Sequence, residues 1–436
     1  METQRVKIAL IGFGTVGSGL VKILQDNAEH ILHKTSLQLE LAHVVDKDLN
    51  RPRPVKLPKG LLHNDLERVL ADKQVTVAVE LVGGTTTAGE ITIKLLRAGK
   101  DVVTANKALL AERGREIFET ARQCGRCVAF EGSCCGGLPV VGAIRKGLAA
   151  NKISAMYGIV NGTCNYILTE MSKKGKEYAE ALQEAQQRGY AESDPMLDVT
   201  GTDSAHKLTI LAALAFGEEV DFNSIEVQGI DKVQLADIRF GWEMGYAMKL
   251  LAIAEQSQKG LSLRVHPSFI TQEAPLAQVS GPFNAISIFG DAVGHTSYYG
   301  QGAGMMPTAS AVVADIIEVA QGNALRCFAA TPGLGRPGKS ARICPAEEIN
   351  SRFYIRLSLV DQPGVFAQVG KILGDRAISI SSCLQHEGES PDCVPVVFMT
   401  HPARKGDVDS ALKELAQLEV SKAKPVCIPI VTPPEN

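Results

Sequence analysis

The chain has 436 residues, 45% of them hydrophobic and 21% charged, with a formal net charge of −3. This length suits about three domains at roughly 150 residues each; the near-neutral balance gives no electrostatic basis for nucleic acid or an anionic membrane as partner, and no apolar run of about 18 residues predicts a transmembrane helix. Without a secretory leader, the ten scattered cysteines read as reduced thiols of a cytoplasmic protein; Cys124 and Cys127 form a CxxC, but adjacent Cys134 and Cys135 make a poor second knuckle for zinc.

Residues 6–11 are an apolar, β-branched run and predict a buried strand. Gly12-Phe13-Gly14-Thr15-Val16-Gly17 follows at once, and a helix is predicted from Ser18 to about Gln25. Strand, GxGxxG and helix in that order predict a dinucleotide site. Gly12 makes the tight turn, Gly14 admits the pyrophosphate, Gly17 lets helix approach strand, and the helix N-terminus offers unpaired N–H groups. A second strand, 37–45, ends at Asp46, whose carboxylate suits a ribose 2′-hydroxyl and NAD. Lys47, Arg51 and Arg53 follow closely and suit a 2′-phosphate instead, so the reading is NAD(P), with a slight lean to NAD.

Residues 75–82 form a further buried strand before Gly83-Gly84, and 100–107 another, which delivers Asn106 and Lys107 to its C-terminal end. Ligands of open α/β sheets bind at that end, so Lys107 is a candidate site residue, with a solvated lysine opening a helix as the alternative. Residues 126–131 read as a strand entering a loop of small residues. There Glu131 and the backbone carbonyls of Cys134, Gly136 and Leu138 are candidate ligands for a monovalent cation such as sodium, against the plainer reading of a tight turn. Helix is expected over 140–148, strand over 153–160, a turn entering a helix at 161–168, and a charged helix over 173–188.

The segment 189–207 is the densest in chemistry. Glu192, Asp194, Asp198, Asp203 and Lys207 fall within sixteen residues, first in a Gly/Pro-punctuated loop and then on a helix where Asp203 and Lys207, at i and i+4, share a face. This pattern suits a polar, cationic substrate and a proton transfer; a surface ion pair is the alternative. Residues 222–270 mix short strands with helix. The glycine-rich loop at 299–308, including Gly302, precedes an apolar helix over 309–319 that returns to the first domain. Residues 332–339 read as a Gly/Pro-rich linker. Beyond it lie strand 352–360, a DQPG turn at 361–364, helix 365–373, strands 378–383 and 394–401, helix 408–418 and strand 426–430. The order βαββαβ is ferredoxin-like and resembles the ACT domains that bind amino acids.

The run from Ala185 through Gly189, Asp194-Pro195, Asp198, Gly201, Asp203 and Lys207 resembles the homoserine dehydrogenase signature. GFGTVG at 12–17, TANK at 104–107, NGTCNYIL at 161–168 and GQGAGMMPTASAVVAD at 300–315 agree in order. One departure is the loop after Glu131, which has Ser133, Cys134 and Cys135 where alanine or valine is usual.

The resemblance implies an α/β Rossmann domain over 1–130, completed by a helix at 305–325. An α+β catalytic and dimerisation domain over 131–304, a linker over 331–349 and an ACT domain over 350–436 follow. It implies reversible NAD(P)-dependent oxidation of L-homoserine to L-aspartate 4-semialdehyde in threonine, methionine and isoleucine biosynthesis, with threonine as effector and a homodimer or homotetramer as assembly. Lys207 would be the acid/base, its pKa lowered by burial or by the charge of Lys107, and Asp203 would orient it. Glu192 and Asp198 would hold the substrate ammonium, Gly162, Thr163 and Tyr190 would line the pocket, and Gly189 and Gly302 would lie near the cofactor. A 2-hydroxy-acid or prephenate dehydrogenase would instead want a histidine–carboxylate pair and an arginine, a pattern that His206 and His295 do not offer. A non-catalytic sensor would be expected to lose Lys207 or Asp203.

Overall fold

The first sheet is parallel and six-stranded: β1 (Gln4–Ile11), β2 (Leu37–Val45), β3 (Leu62–His63), β4 (Val75–Glu80), β5 (Asp101–Thr104) and β6 (Val128–Ala129), in the order β3-β2-β1-β4-β5-β6. Ile8, Ala9 and Leu10 in β1 are fully buried, as expected where helices cover both faces of a parallel sheet. The chain runs outward from β1 to β3, then restarts at β4 on the other side. That reversal opens a crevice beyond the C-terminal ends of β1 and β4. The computed structural model describes residues 3–331, 340–386 and 393–434, so the Gly/Pro-rich stretch 332–339 lies outside the described residues. No helix among the described residues is long and apolar enough to cross a membrane.

The helix Met305–Ala320 packs on the helix Thr15–Asp26 that follows the glycine loop. At their crossing a Cβ on Gly19 would sit 2.7 Å from the Met305 carbonyl and 2.9 Å from the Ala309 Cβ, so glycine sets the approach. The predicted strand at 126–131 is shorter than expected: β6 ends at Ala129, because Glu131 turns into a 3₁₀ segment, Glu131–Ser133.

A second sheet holds β7 (Ile153–Ile159), β8 (Glu226–Val227), β9 (Tyr246–Ser257), β10 (Gly260–Thr271), β11 (Phe283–Gly290) and β12 (Gly294–Gln301). Strands β9 and β10 form one long hairpin from a region that the sequence pattern left mixed. Residues 247–254 of β9 are an almost unbroken apolar run buried on both faces, without the alternation of a half-exposed strand, whereas β10 alternates Leu261, Leu263, Val265 and Phe269 with Ser262, Arg264, His266 and Ser268, which are themselves buried. The charged helix expected over 173–188 is two helices, Gly162–Lys174 and Tyr178–Gln187. Gly175 ends the first in a left-handed conformation (φ 66°), its N–H bonded to the Met171 carbonyl at 3.1 Å.

The C-terminal strands are β13 (Asn350–Leu359), β14 (Ile380–Gln385), β15 (Val394–Thr400), β16 (Ala403–Arg404) and β17 (Val426–Ile430). The helices Val365–Gly374 and Lys405–Leu415 complete βαββαβ, and the order β17-β13-β15-β14 is that of a ferredoxin-like sheet. This sheet is continuous with the central one: Ile430 of β17 pairs in parallel with Phe269 of β10. A buried charge cluster reinforces the junction. Asp237, on the helix Leu235–Glu243, accepts from Arg356 Nε (2.6 Å), Arg356 Nη2 (3.0 Å) and the Tyr354 hydroxyl (2.8 Å). The described part of the expected linker is itself paired, since Ser340 bridges to Glu219 and Ile343 to Leu261.

Candidate active site

The glycine loop has the shape that a dinucleotide needs. Gly12 sits at φ 99°, where a Cβ would come 2.5 Å from the Leu81 carbonyl, and a Cβ on Gly17 would meet the Gly12 carbonyl at 2.4 Å. Above Gly14 nothing lies within 4 Å. Two of the glycines are therefore required by packing, while the third leaves open space at a helix N-terminus. The Asp46 carboxylate is turned toward this loop: it accepts the Phe13 N–H at 2.6 Å and the Asp48 N–H at 2.9 Å, with Arg53 3.5 Å away. Burial works against its charge, but these N–H groups and Arg53 outweigh it and lower its pKa. Arg53 is spent on backbone carbonyls, including Phe13 at 2.9 Å, whereas Lys47 and Arg51 are exposed.

A cleft of about 450 Å³ runs from Gly14–Gly17 past Gly83 and Gly84 to Asn106, Lys107, Asp198 and Asp203. Asn106 caps the helix Lys107–Gln123, accepting the Leu109 N–H at 3.1 Å, and so brings Lys107 to the cleft wall. Behind it the buried Glu80 accepts the Thr104 hydroxyl (2.7 Å), which in turn accepts the Asn106 N–H (3.0 Å). Glu192 and Asp194 line the outer rim, and Asp194 also accepts the Met196 N–H at 3.2 Å, fixing the turn at Pro195.

The chemistry gathers on Asp203. Its Oδ1 lies 3.1 Å from Lys107 Nζ, and its Oδ2 accepts Lys207 Nζ at 2.8 Å and Asn161 Nδ2 at 2.9 Å. Lys207 Nζ also donates to the Val160 carbonyl at 2.6 Å, which a second donor, Asn284 Nδ2, reaches at 3.0 Å. The Lys207 side chain is 8% exposed, against 40% for Lys107. Burial alone would raise Asp203, but the two lysines outweigh it and hold the carboxylate well below its usual range. The expectation that Lys207 has a lowered pKa is reversed: burial does act downward, but the Asp203 carboxylate outweighs it and pushes the ammonium upward. The charge of Lys107 falls on Asp203 rather than on Lys207.

Other predicted residues are distributed differently. The Thr163 hydroxyl donates to the Tyr190 carbonyl at 2.6 Å, tying the start of the helix Gly162–Lys174 to the acidic loop. Tyr190 is 40% exposed, with its ring 4.9 Å from that of Tyr166. Gly162 packs on Pro282, where a Cβ would approach the carbonyl at 2.6 Å, and Gly302 packs on the Asn284 side chain at 2.0 Å by the same measure. Gly162, Thr163, Tyr190 and Gly302 thus border the cluster, and neither they nor Gly189 nor the buried Lys207 line the cleft itself. Glu131 accepts the N–H groups of Val141 (2.9 Å) and Gly142 (2.7 Å), and the Leu138 carbonyl accepts the Val140 N–H (2.8 Å). Burial raises Glu131 despite Arg145 and Lys146 nearby, and Asp315, whose Oδ2 accepts the Glu131 N–H at 2.7 Å, is raised as well. Glu131 and Asp315 thus form a buried carboxyl pair beside Arg145, and two of the four expected cation ligands, Glu131 and the Leu138 carbonyl, already accept N–H groups. Sequence reasoning missed Asn161 and Asn284. The signals for Asn161 were its place as a helix N-cap directly after a strand and its position at the head of the NGTCNYIL motif.

The family model for homoserine dehydrogenase matches residues 139–317, that for the NAD binding domain of homoserine dehydrogenase matches 12–131, and that for the ACT domain matches 353–420. A homoserine dehydrogenase of Pseudomonas aeruginosa is 43% identical over 425 residues, covering 95% of this chain and 96% of the relative. One of Bacillus subtilis is 36% identical over 418 residues, covering 96% of each. Among solved structures, a homoserine dehydrogenase from Thiobacillus denitrificans superposes with a TM-score of 0.91 at 38% identity, covering 99% of both chains. A hyperthermophilic archaeal homoserine dehydrogenase mutant in complex with NADPH superposes with a TM-score of 0.60 at 26% identity, over 73% of this chain and 98% of the other.

Proposed function

We infer, from the premise that this chain belongs to the homoserine dehydrogenase family, how its cleft carries out an NAD(P)-dependent oxidation at a CH–OH group. The observation that carries the reading is the single cleft joining the open glycine loop to Lys107, Asp198 and Asp203. A bound nicotinamide supplies the hydride acceptor. The residues handle the proton and the substrate's charges. Asp198, with Glu192 at the rim, holds the ammonium of L-homoserine, and the hydroxyl faces the lysines.

In the direction of aldehyde reduction, a raised pKa suits Lys207 as the acid that protonates the developing alkoxide. In oxidation Lys207 takes the hydroxyl proton as base, so turnover rises with pH as its neutral form becomes available. Asp203 holds Lys207 against the Val160 carbonyl, and the half-exposed Lys107 on its other oxygen polarises the substrate oxygen and passes the proton outward. Because Asp46 is engaged with the glycine loop, Lys47 and Arg51 are the groups that face a 2′-phosphate, which supports use of NADP as well as NAD. A monovalent cation would sit at Glu131 with the carbonyls of Cys134, Gly136 and Leu138, and would neutralise the Glu131–Asp315 pair.

The effector reading rests on the ACT domain. A hollow of about 390 Å³ beside the DQPG turn, lined by Asp361, Gln362, Gly364, Phe366 and Val394, suits an amino acid, and threonine is the one proposed. Feedback by threonine would place the enzyme in threonine, methionine and isoleucine biosynthesis, and assembly as a homodimer or homotetramer would be read by sedimentation. The test is to follow L-homoserine oxidation with each nicotinamide cofactor, with and without sodium and threonine. Reduction of NAD(P)⁺ that depends on homoserine is the result expected, and no reduction with either cofactor would overturn the reading. Independence of threonine and other amino acids would remove the effector role, and independence of sodium would remove the cation.

A further inference from the structure

We infer that Asn161 is a positioning residue that divides the acidic cluster, its one amide group donating to Asp198 and to Asp203 and so keeping the substrate-facing carboxylate distinct from the lysine-facing one. The inference rests on the roles proposed above for those two carboxylates.

Asn161 follows β7 and caps the helix Gly162–Lys174. Its Oδ1 accepts the Cys164 N–H at 2.8 Å, while its Nδ2 donates to Asp198 Oδ1 at 2.7 Å and to Asp203 Oδ2 at 2.9 Å. The side chain is buried, and the helix fixes its orientation. Only the amide oxygen can face the Cys164 N–H, so both amide hydrogens point at the carboxylates. The surrounding charges come from three elements: Lys107 opens the helix Lys107–Gln123, Asp203 and Lys207 lie on the helix Thr202–Phe216, and Asp198 lies on Met196–Val199. The Cys164 thiol, on the fourth side, meets the Asp198 carbonyl at 3.1 Å. Both lysines contact Asp203. Among the described residues, Asn161 is the one side-chain donor to Asp198.

Two carboxylates in one buried site resist joint ionisation. Burial and the charge of Asp203 push Asp198 upward, and the hydrogen bond from Asn161 is the largest influence opposing them. A neutral residue with two donors answers this conflict. A third charge at 161 would change how the cluster ionises, and a side chain without the two donors would leave Asp198 without its side-chain partner.

The test uses Asn161→Ser and Asn161→Asp, both of which retain an oxygen able to cap the helix. Far-ultraviolet circular dichroism and urea unfolding establish which variants fold; Asn161→Ser carries the test where Asn161→Asp does not fold. The acidic limb of homoserine binding, read as 1/KM against pH so that the Lys207 ionisation seen in kcat does not enter, should move upward by about one pH unit or more, further for Asp than for Ser. The KM for homoserine near neutral pH should rise about tenfold, with the KM for NAD(P)⁺ unchanged. A merely structural role would not move the acidic limb. Asp198→Asn is measured in parallel. A raised homoserine KM in Asp198→Asn, with a wild-type limb and KM in folded Asn161→Ser, would overturn this inference alone. An unchanged KM in Asp198→Asn would overturn the underlying assignment of Asp198, and the inference with it.

Discussion

Truncating Arg356 to methionine is the sharpest test of how the C-terminal domain is held. Asp237 is 1% exposed and its carboxylate accepts three hydrogen bonds, two of them from Arg356. Arg356→Met fills much of the same volume but leaves a buried carboxylate with the Tyr354 hydroxyl as its remaining partner from this cluster. Removing one member of a buried ion pair costs about 3–5 kcal/mol, mostly because the other charge is stranded. Converting Asp237 to leucine in the same chain removes the stranded charge, so the double variant should recover about 2 kcal/mol or more relative to Arg356→Met alone. The readout is hydrogen exchange of the β13 amides, which reports the local opening free energy of that strand. Protection in Arg356→Met within about 1 kcal/mol of wild type, or a double variant less stable than either single one, would refute the reasoning.

Three further outcomes follow from the site. Gly14→Ala should fold with stability within about 1 kcal/mol of wild type, because its Cβ meets nothing, yet bind NAD(P)⁺ at least tenfold more weakly; Gly12→Ala should instead lose about 1–3 kcal/mol from its left-handed backbone alone, with the clash at Leu81 added, as read by urea unfolding. Lys47→Glu should raise the KM for NADP⁺ several-fold and leave that for NAD⁺ nearly unchanged, and equal effects on both would contradict the placement of the 2′-phosphate. Asp203 is depressed in the folded protein, so its contribution to stability is present above its unfolded pKa near 4 and fades as pH falls below it. Lys207 is raised, so its contribution is present below about 10.4 and is lost as pH climbs through the folded value. Asp203→Asn should flatten both limbs of the stability–pH curve measured by urea unfolding, and a curve parallel to wild type would contradict the coupling.

What the sequence made legible was local. Residues 6–17 predict strand, turn and helix because each step depends on neighbours: a β-branched run, glycines where a Cβ has no room, and an apolar helical face. The i,i+4 spacing of Asp203 and Lys207 was legible for the same reason, as was the βαββαβ order of the last hundred residues. The charge balance of the site was not. The pKa direction of Lys207 depends on whether burial or the Asp203 carboxylate prevails, and the second lysine on that carboxylate, Lys107, is ninety-six positions from Asp203 in the chain. The Arg356–Asp237 contact spans 119 positions and carries no motif. Strand β9 was hidden because burial on both faces removes the alternation by which a strand is read, although β10 keeps it, and the break at Gly175 was hidden because a lone glycine inside a helical pattern is ambiguous until its φ is known.

The central claim is that Lys207, held by Asp203, carries the proton in homoserine oxidation. Its most direct test is Lys207→Ala, with steady-state L-homoserine oxidation measured beside NAD(P)⁺ binding. The account predicts a fall in kcat of roughly 10²-fold or more, the scale of lost general acid–base catalysis, with cofactor affinity unchanged. Near-normal turnover would contradict it.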